Sequence, residues 1–342
     1  MIKIGILGAE TMAAGELIRI LINHPDVTIK TIASEQESGH AVTSLHRGLT
    51  GDIDMKVTST LSPDGLDAVF LCGEAWEAKR WMERYNSELT SELRIIDLTG
   101  AFRNGEYGME YGFPEYNRKA LVRGATRASI PSAVATAIEL ALFPLAKNGA
   151  LNGTANASVS IASSGMHQIN ATQADNADEN FDRITSTRLD PIAPQENRPD
   201  MNAITQETMA ALRMMQPSFY GGITLQLSCN SKISRGLTAV IDVPCGIELP
   251  ELKRMYAEAY SDHGFTFPVD EQPTMADVAN TNKCLVQLEY PDSPSLSGMP
   301  HLRVTTVIDN LLKGGAGTAV HCMNLLFGLS ERTGLSLKAS AF

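Results

Sequence analysis

The sequence predicts an α/β protein: a Rossmann-type doubly wound parallel sheet, then an α+β second domain with a mixed or antiparallel sheet. Three observations carry this. The chain opens on a continuous apolar strand that passes through a glycine turn into a helix. Apolar runs and helix-period segments then alternate through the first half, as in a parallel sheet covered on both faces. In the second half, strand-like runs cluster with few helices between them, as in a mixed sheet.

Residues 2–8 form the first strand, apolar throughout as a strand buried on both faces must be. Gly8-Ala9 makes the turn. Residues 13–23 are helical by period, with Leu17, Ile20 and Leu21 on one face, and Pro25 stops them. Residues 27–34 are the second strand. This strand–glycine turn–helix–strand unit is the layout of dinucleotide-binding domains. Its glycine pattern is incomplete, because Thr11 and Ala14 stand where further glycines belong, and Thr11 adds a Cβ where a pyrophosphate meets backbone. A plain βαβ unit without nucleotide is the alternative. After the second strand, Ser34 and Ser38 tolerate a 2′-phosphate, whereas Glu35, Glu37 and the lack of a nearby arginine oppose one. Further strands are expected at 68–72 and 93–97, with a helix near 77–85 between them. Trp76 follows the third strand at its C-terminal end, the edge where such sheets bind ligands. It can stack on a ring, but filling the crevice is the favoured expectation. A polar, aromatic stretch, DLTGAFRNGEYGMEYGFPEYNRKAL, then brings Arg103, a natural fork for a carboxylate or phosphate, and Tyr111.

Ala128–Pro144, ASIPSAVATAIELALFP, is a short strand feeding a helix through Pro131-Ser132. Free N–H groups at such a helix start favour anions and nucleophiles. The residue at its mouth is Ala133, beside Ser132. Residues 155–163 read as a strand ending in Ser163-Ser164-Gly165, with His167 shortly after. Residues 169–202 show no sustained period and read as a surface excursion. Residues 204–214 are helical. Residues 223–229 and 237–243 read as paired strands around the basic turn Lys232–Gly236. Residues 249–261 are an amphipathic helix with Pro250 in its first turn. Residues 284–289 and 301–308 are further strands. The glycine-rich loop with Gly314, Gly315 and Gly317 precedes a last helix, again an anion or nucleotide contact. That helix is expected to pack back on the first domain. The domains expected are 1–147 with 314–342, and 148–313.

The net charge of −11 argues against nucleic acid and anionic membranes. No apolar run approaches the ~20 residues that span a bilayer. The start, MIKIGILGAE, is already a strand and carries no signal pattern. The five cysteines lack CxxC spacing, which favours reduced thiols over disulfides or metal ligation. A soluble, cytoplasmic protein without metal is expected.

Segments along the whole chain resemble one family: GILGAETMAAGELIRILINHPDV, DLTGAFR, YGFPE, ATAIELALFPLAK, SRGL, ANTNKC, DNLLKGGAGTAVHCMNLLFGL and LKASAF. They are similar to N-acetyl-γ-glutamyl-phosphate reductase of arginine biosynthesis, itself related to aspartate-semialdehyde dehydrogenase. The resemblance implies NADP, a small acyl-glutamate-type ligand, and a homodimer or homotetramer. It implies a cysteine that attacks an acyl phosphate, hydride transfer to the thioester, and a histidine as acid/base. Carried over, Arg103 and Arg235 grip substrate, with Ser164, Gly165 and Tyr111 in the pocket. Gly8, Thr11, Met12, Ser34, Ser38, Trp76, Gly315 and Gly317 face the nucleotide. The family's Asn-Pro-Gly-Cys reads Ile130-Pro131-Ser132-Ala133 here, so the nucleophile position is Ala133. Ser132 and His167 are the remaining catalytic candidates. The expectation is a reductase-like family member whose activity is impaired or lost; the alternatives are a catalytically inactive homologue with a binding or regulatory role, and a different enzyme using the same cleft with His167 as base.

Overall fold

The computed structural model describes residues 1–165, 201–291 and 300–339. The helices are α1 (Met12–Leu21), α2 (Val42–Leu45), α3 (Ala75–Tyr85), α4 (Pro114–Arg123), α5 (Ala133–Lys147), α6 (Met201–Met215), α7 (Leu249–Tyr260), α8 (Met275–Val278) and α9 (Gly317–Leu326). The chain divides into two compact units, Met1–Pro131 with Gly315–Leu337, and Ser132–Gly314.

The first unit is built on six strands: β1 (Ile2–Leu7), β2 (Val27–Ala33), β3 (Ala68–Leu71), β4 (Arg94–Asp97), β5 (Glu110–Tyr111) and β6 (Arg127–Ser129). Every pairing is parallel, in the order β2-β1-β3-β4-β6-β5. The core is apolar because helices cover the sheet: Ile4, Ile6, Val69, Phe70, Ile95 and Ile96 are fully buried. α1 buries Leu17, Ile18 and Leu21 and turns Arg19 and Glu16 outward as an ion pair. The strand order reverses at β1, which has β2 on one side and β3 on the other. α9 belongs to this unit and packs on α4 and β4. His24 Nε2 meets Asn324 Oδ1 of α9 at 3.1 Å.

The second unit holds β7 (Ala155–Ala162), β8 (Ile223–Asn230), β9 (Leu237–Pro244), β10 (Thr266–Val269), β11 (Cys284–Glu289) and β12 (His301–Ile308). Their order is β10-β11-β12-β9-β7-β8, with the outer pairs parallel and the inner ones antiparallel. α5 lies against β9, β12 and α6. Thr306 Oγ1 donates to Ala137 O at 2.9 Å, and Tyr256 OH donates to Ala141 O at 2.6 Å.

The structure corrects two expectations. The boundary falls after Pro131, not after residue 147. Residues 133–146 of α5 are buried on every face, so the helix must be enclosed, and the second sheet with α6 and α7 encloses it. Nor do β8 and β9 pair: β7 lies between them. The connection Lys232–Gly236 instead crosses the end of β7, whose Ala162 N, Ser163 N and Ser164 N donate to Gly236 O, Ile233 O and Ser234 O. Nearly all of the expected surface excursion lies outside the described residues; Met201 and Asn202 already belong to α6.

Candidate active site

In the first unit the site is built around the turn after β1. Gly8 has φ +90°, and a Cβ there would lie 2.1 Å from Gly73 N of the turn after β3. Only glycine permits this approach of two backbones at the point where the strand order reverses. Thr11 caps α1: its Oγ1 accepts from Ala14 N at 3.1 Å. Met12 is the first residue of α1 and is half-buried. The turn therefore keeps a dinucleotide-type backbone but consumes one of its amides internally.

The charge around this turn is acidic. Glu10 Oε2 is buried without a hydrogen-bond partner. Glu77 is buried, and its carboxylate accepts from Glu74 N at 2.9 Å. Burial raises the carboxyls of Glu74 and Glu77 above the ordinary range, and Glu10 adds to both shifts. A pyrophosphate fits the Gly8 turn as a shape, since a Cβ would fill the cradle, while the carboxylates oppose its charge.

Around β2, Ser34 is buried and its Oγ accepts from Glu37 N at 3.3 Å, while Ser38 is exposed. Trp76 does not fill the crevice. Its side chain is 51% exposed on α3, with the Arg80 guanidinium 4.9 Å above the ring. The apolar surface under α3 is already covered by Trp81, whose Nε1 donates to Leu61 O at 2.8 Å. Nor is this rim without an arginine: Arg80 meets Glu35 at 2.5 Å.

The DLTGAFR segment wraps the buried carboxylate of Asp97, which accepts from Thr99 N, Thr99 Oγ1, Phe102 N and Ser129 Oγ. That wrapping presents Arg103, whose Nε donates to Ile130 O at 2.8 Å, just ahead of Pro131. Tyr111 lies buried in β5. Gly315 and Gly317 are buried, and the chain is already helical from Leu312 to Ala316. The glycine-rich segment is therefore wound into helical turns that break at Gly315 (φ −170°, ψ −109°) rather than an open loop.

In the second unit Ala133 is the first residue of α5. Its methyl presses on Gly314, where a Cβ would come within 2.5 Å of it. Ser132 is the cap: its Oγ accepts from Ala135 N at 3.3 Å, and its N–H donates to Glu207 Oε1 of α6 at 2.8 Å. The hydroxyl thus serves the helix, and a carboxylate of the chain itself sits at the helix mouth. Arg235 is committed to Asp309, with Nε and Nη2 on the two carboxylate oxygens at 2.8 and 3.1 Å. Asp309 is fully buried and also accepts from Asn280 N, Leu311 N and Leu312 N. Asn310 joins Ser164 Oγ at 3.1 Å and Gly236 N at 2.7 Å. Gly165 is buried beside Asn310. Ser164, Gly165, Arg235 and Ala133 thus belong to one network through Asp309, Asn310 and Gly314. His167 lies outside the described residues.

Glu207, Asp309, Asn310 and Arg80 escaped the sequence reading. Only the Asp-Asn pair directly after a strand offers a signal. All five cysteines are free. Burial raises the thiol pKa values of Cys72 and Cys229, the direction that disfavours a thiolate. Among the described residues no cluster can hold a metal ion, and no helix is long and apolar enough to cross a membrane.

A parallel nucleotide-type sheet, followed by a mixed sheet whose first helix begins at Ala133, is a fold shared with semialdehyde dehydrogenases. Residues 3–123 match the family model described as semialdehyde dehydrogenase, NAD binding domain. The chain is 38% identical over 344 residues to N-acetyl-gamma-glutamyl-phosphate reductase of Parabacteroides distasonis, and 36% identical over 345 residues to that of Bacteroides thetaiotaomicron, with all of each chain covered. The fold is similar to aspartate semialdehyde dehydrogenase II of Vibrio cholerae complexed with ASA (TM-score 0.67, 16% identity, 96% of this chain and 98% of that one). It is also similar to the Candida albicans aspartate semialdehyde dehydrogenase with NADP (TM-score 0.66, 16% identity, 96% and 98%). The chain belongs to the N-acetyl-γ-glutamyl-phosphate reductase family.

Proposed function

We propose that this chain carries the frame for NADPH-dependent reduction of an N-acyl-glutamyl phosphate to the semialdehyde, and that its own covalent step is impaired to the point of loss. The relatives' names support the first part. One observation carries the second: Ala133 ends in a methyl group where the thioester would form. The neighbouring Ser132 hydroxyl is engaged as a helix cap, and among the described residues no base is hydrogen-bonded to it to make an alkoxide. An ester would in any case accept hydride less readily than a thioester. Removing a covalent nucleophile costs on the order of a millionfold in rate, roughly 8 kcal/mol. A nicotinamide nucleotide would supply the hydride; Gly8, Met12, Ser34 and Trp76 are the residues that would meet it. By resemblance, the substrate-binding candidates are Arg103 and Tyr111 in the first unit and Arg235, Ser164 and Gly165 in the second, and the role read as retained is binding or regulation, in a homodimer or homotetramer.

The test is NADPH oxidation with an N-acyl-glutamyl phosphate, for the native chain beside Ala133→Cys. No turnover by the native chain and turnover by the variant is the expected pair. Turnover by the native chain overturns the loss and leaves the family reaction standing. Sedimentation velocity tests the assembly, and a monomer removes it.

A further inference from the structure

The two elements that flank β1 each bring one charged side chain to the same rim. Glu35 is the second residue beyond β2, and Arg80 sits just over one turn into α3, the helix after β3. Their side chains meet at 2.5 Å although they are 59% and 63% exposed. The same guanidinium lies 4.9 Å above the half-exposed Trp76 ring. Nothing in the chemistry at Ala133 uses these three residues.

We infer that Arg80 recognises the 2′-phosphate of NADP, with the Trp76 indole as the face on which the adenine rests and Glu35 as the anion that the phosphate displaces. This rests on the nucleotide-binding reading of the first unit and is independent of the covalent step. The adenosine end of a dinucleotide lies beyond the end of β2, where an acidic residue takes the ribose hydroxyls of NAD and an arginine takes the phosphate of NADP. Here both occur, bound to each other. An exposed ion pair is weak, so a dianionic phosphate outcompetes a single carboxylate. The planar guanidinium has more N–H groups than one carboxylate oxygen engages, in a geometry matched to phosphate. The second carboxylate of the rim, Glu37, is drawn aside by His40 Nδ1 at 2.9 Å. The indole offers a flat apolar face already oriented by the cation above it.

The experiment titrates the full chain with adenosine 2′,5′-bisphosphate and with 5′-AMP, which differ only in the 2′-phosphate, by calorimetry with tryptophan emission as a second readout. The native chain is expected to prefer the bisphosphate by about tenfold or more. Arg80→Gln should abolish that preference, while Glu35→Gln should widen it. Both side chains are exposed, so circular dichroism should show unchanged folds. A preference that survives Arg80→Gln overturns the assignment. Equal affinity of the native chain for both probes, or binding of neither at millimolar concentration, overturns it as well. Neither outcome bears on turnover by Ala133→Cys, so the two readings fail separately.

Discussion

Two helices in this molecule begin in the same way and differ in what they depend on. α1 and α5 each follow a parallel strand, and each is capped by a hydroxyl that accepts the third amide of its helix, Thr11 on Ala14 and Ser132 on Ala135. Each has acidic side chains at its mouth: Glu10 follows the Gly8-Ala9 turn, and Glu207 holds Ser132 N. The mouth of α1 works through backbone, namely the Gly8–Gly73 approach and the helix dipole, and it survives a change of side chains. In the proposed reading, the mouth of α5 would work through one atom that alanine lacks. A nucleotide turn built from backbone therefore does not depend on the side chain at the mouth of α5.

The largest expected effect lies at α5. Restoring sulfur with Ala133→Cys should raise the reduction rate by orders of magnitude, bounded by the roughly millionfold value of a nucleophile. Ala133→Ser should not. Equal rates for the two variants would put the missing chemistry elsewhere. Next comes Arg235→Met. It strips the fork from the fully buried Asp309, and leaving such a charge unpaired costs about 3–5 kcal/mol. The three backbone amides on Asp309 place the expected loss at the lower end, read as a fall in the denaturation midpoint. No change would mean that Arg235 is held for ligand alone. Gly8→Ala tests the α1 side. A methyl group at φ +90°, 2.1 Å from Gly73 N, should cost about 2–4 kcal/mol of stability. Retention of full stability would show that the two turns move apart freely.

These sites were unequally legible in the sequence. β1, α1, β11 and β12 announce themselves through long apolar runs or a clean period, and β11 and β12 fall at their expected limits. α4 was missed because Pro114 opens it inside a polar, aromatic stretch of low helical period. The insertion of β7 between β8 and β9 leaves no trace in periodicity, since alternation marks a strand but not its neighbour. The proposed nucleophile position could be named from sequence because it is one residue in a linear motif. The Arg80–Glu35 and Arg235–Asp309 pairs were not, because their members are 45 and 74 residues apart and only the fold joins them.

The smallest expected effect is the one that separates the two helix mouths by charge. Burial is the largest cause of the raised Glu77 carboxyl; Glu10 and Glu35 raise it further, while the Glu74 N–H and Arg80 pull it down. A carboxyl whose folded pKa lies above its ordinary 4.5 stabilises the fold when protonated, and that contribution is lost as pH rises through the folded value. At pH 8 the ionised group therefore opposes folding. Glu77→Gln keeps an oxygen to accept from Glu74 N and removes the charge. The variant should melt above the native chain at pH 8, and the gap should close toward pH 4, where both side chains are neutral. A pH-independent gap would mean that shape, not charge, sets the strain under the Gly73 turn. A native chain more stable at pH 8 would mean that the carboxylate is paired more strongly than Arg80 and the Glu74 amide account for. If the gap behaves as expected, removing this charge should also ease anion binding at α1. The same logic applied to Glu207 would leave α5 without a nucleophile, because no change of charge at its mouth supplies the missing sulfur.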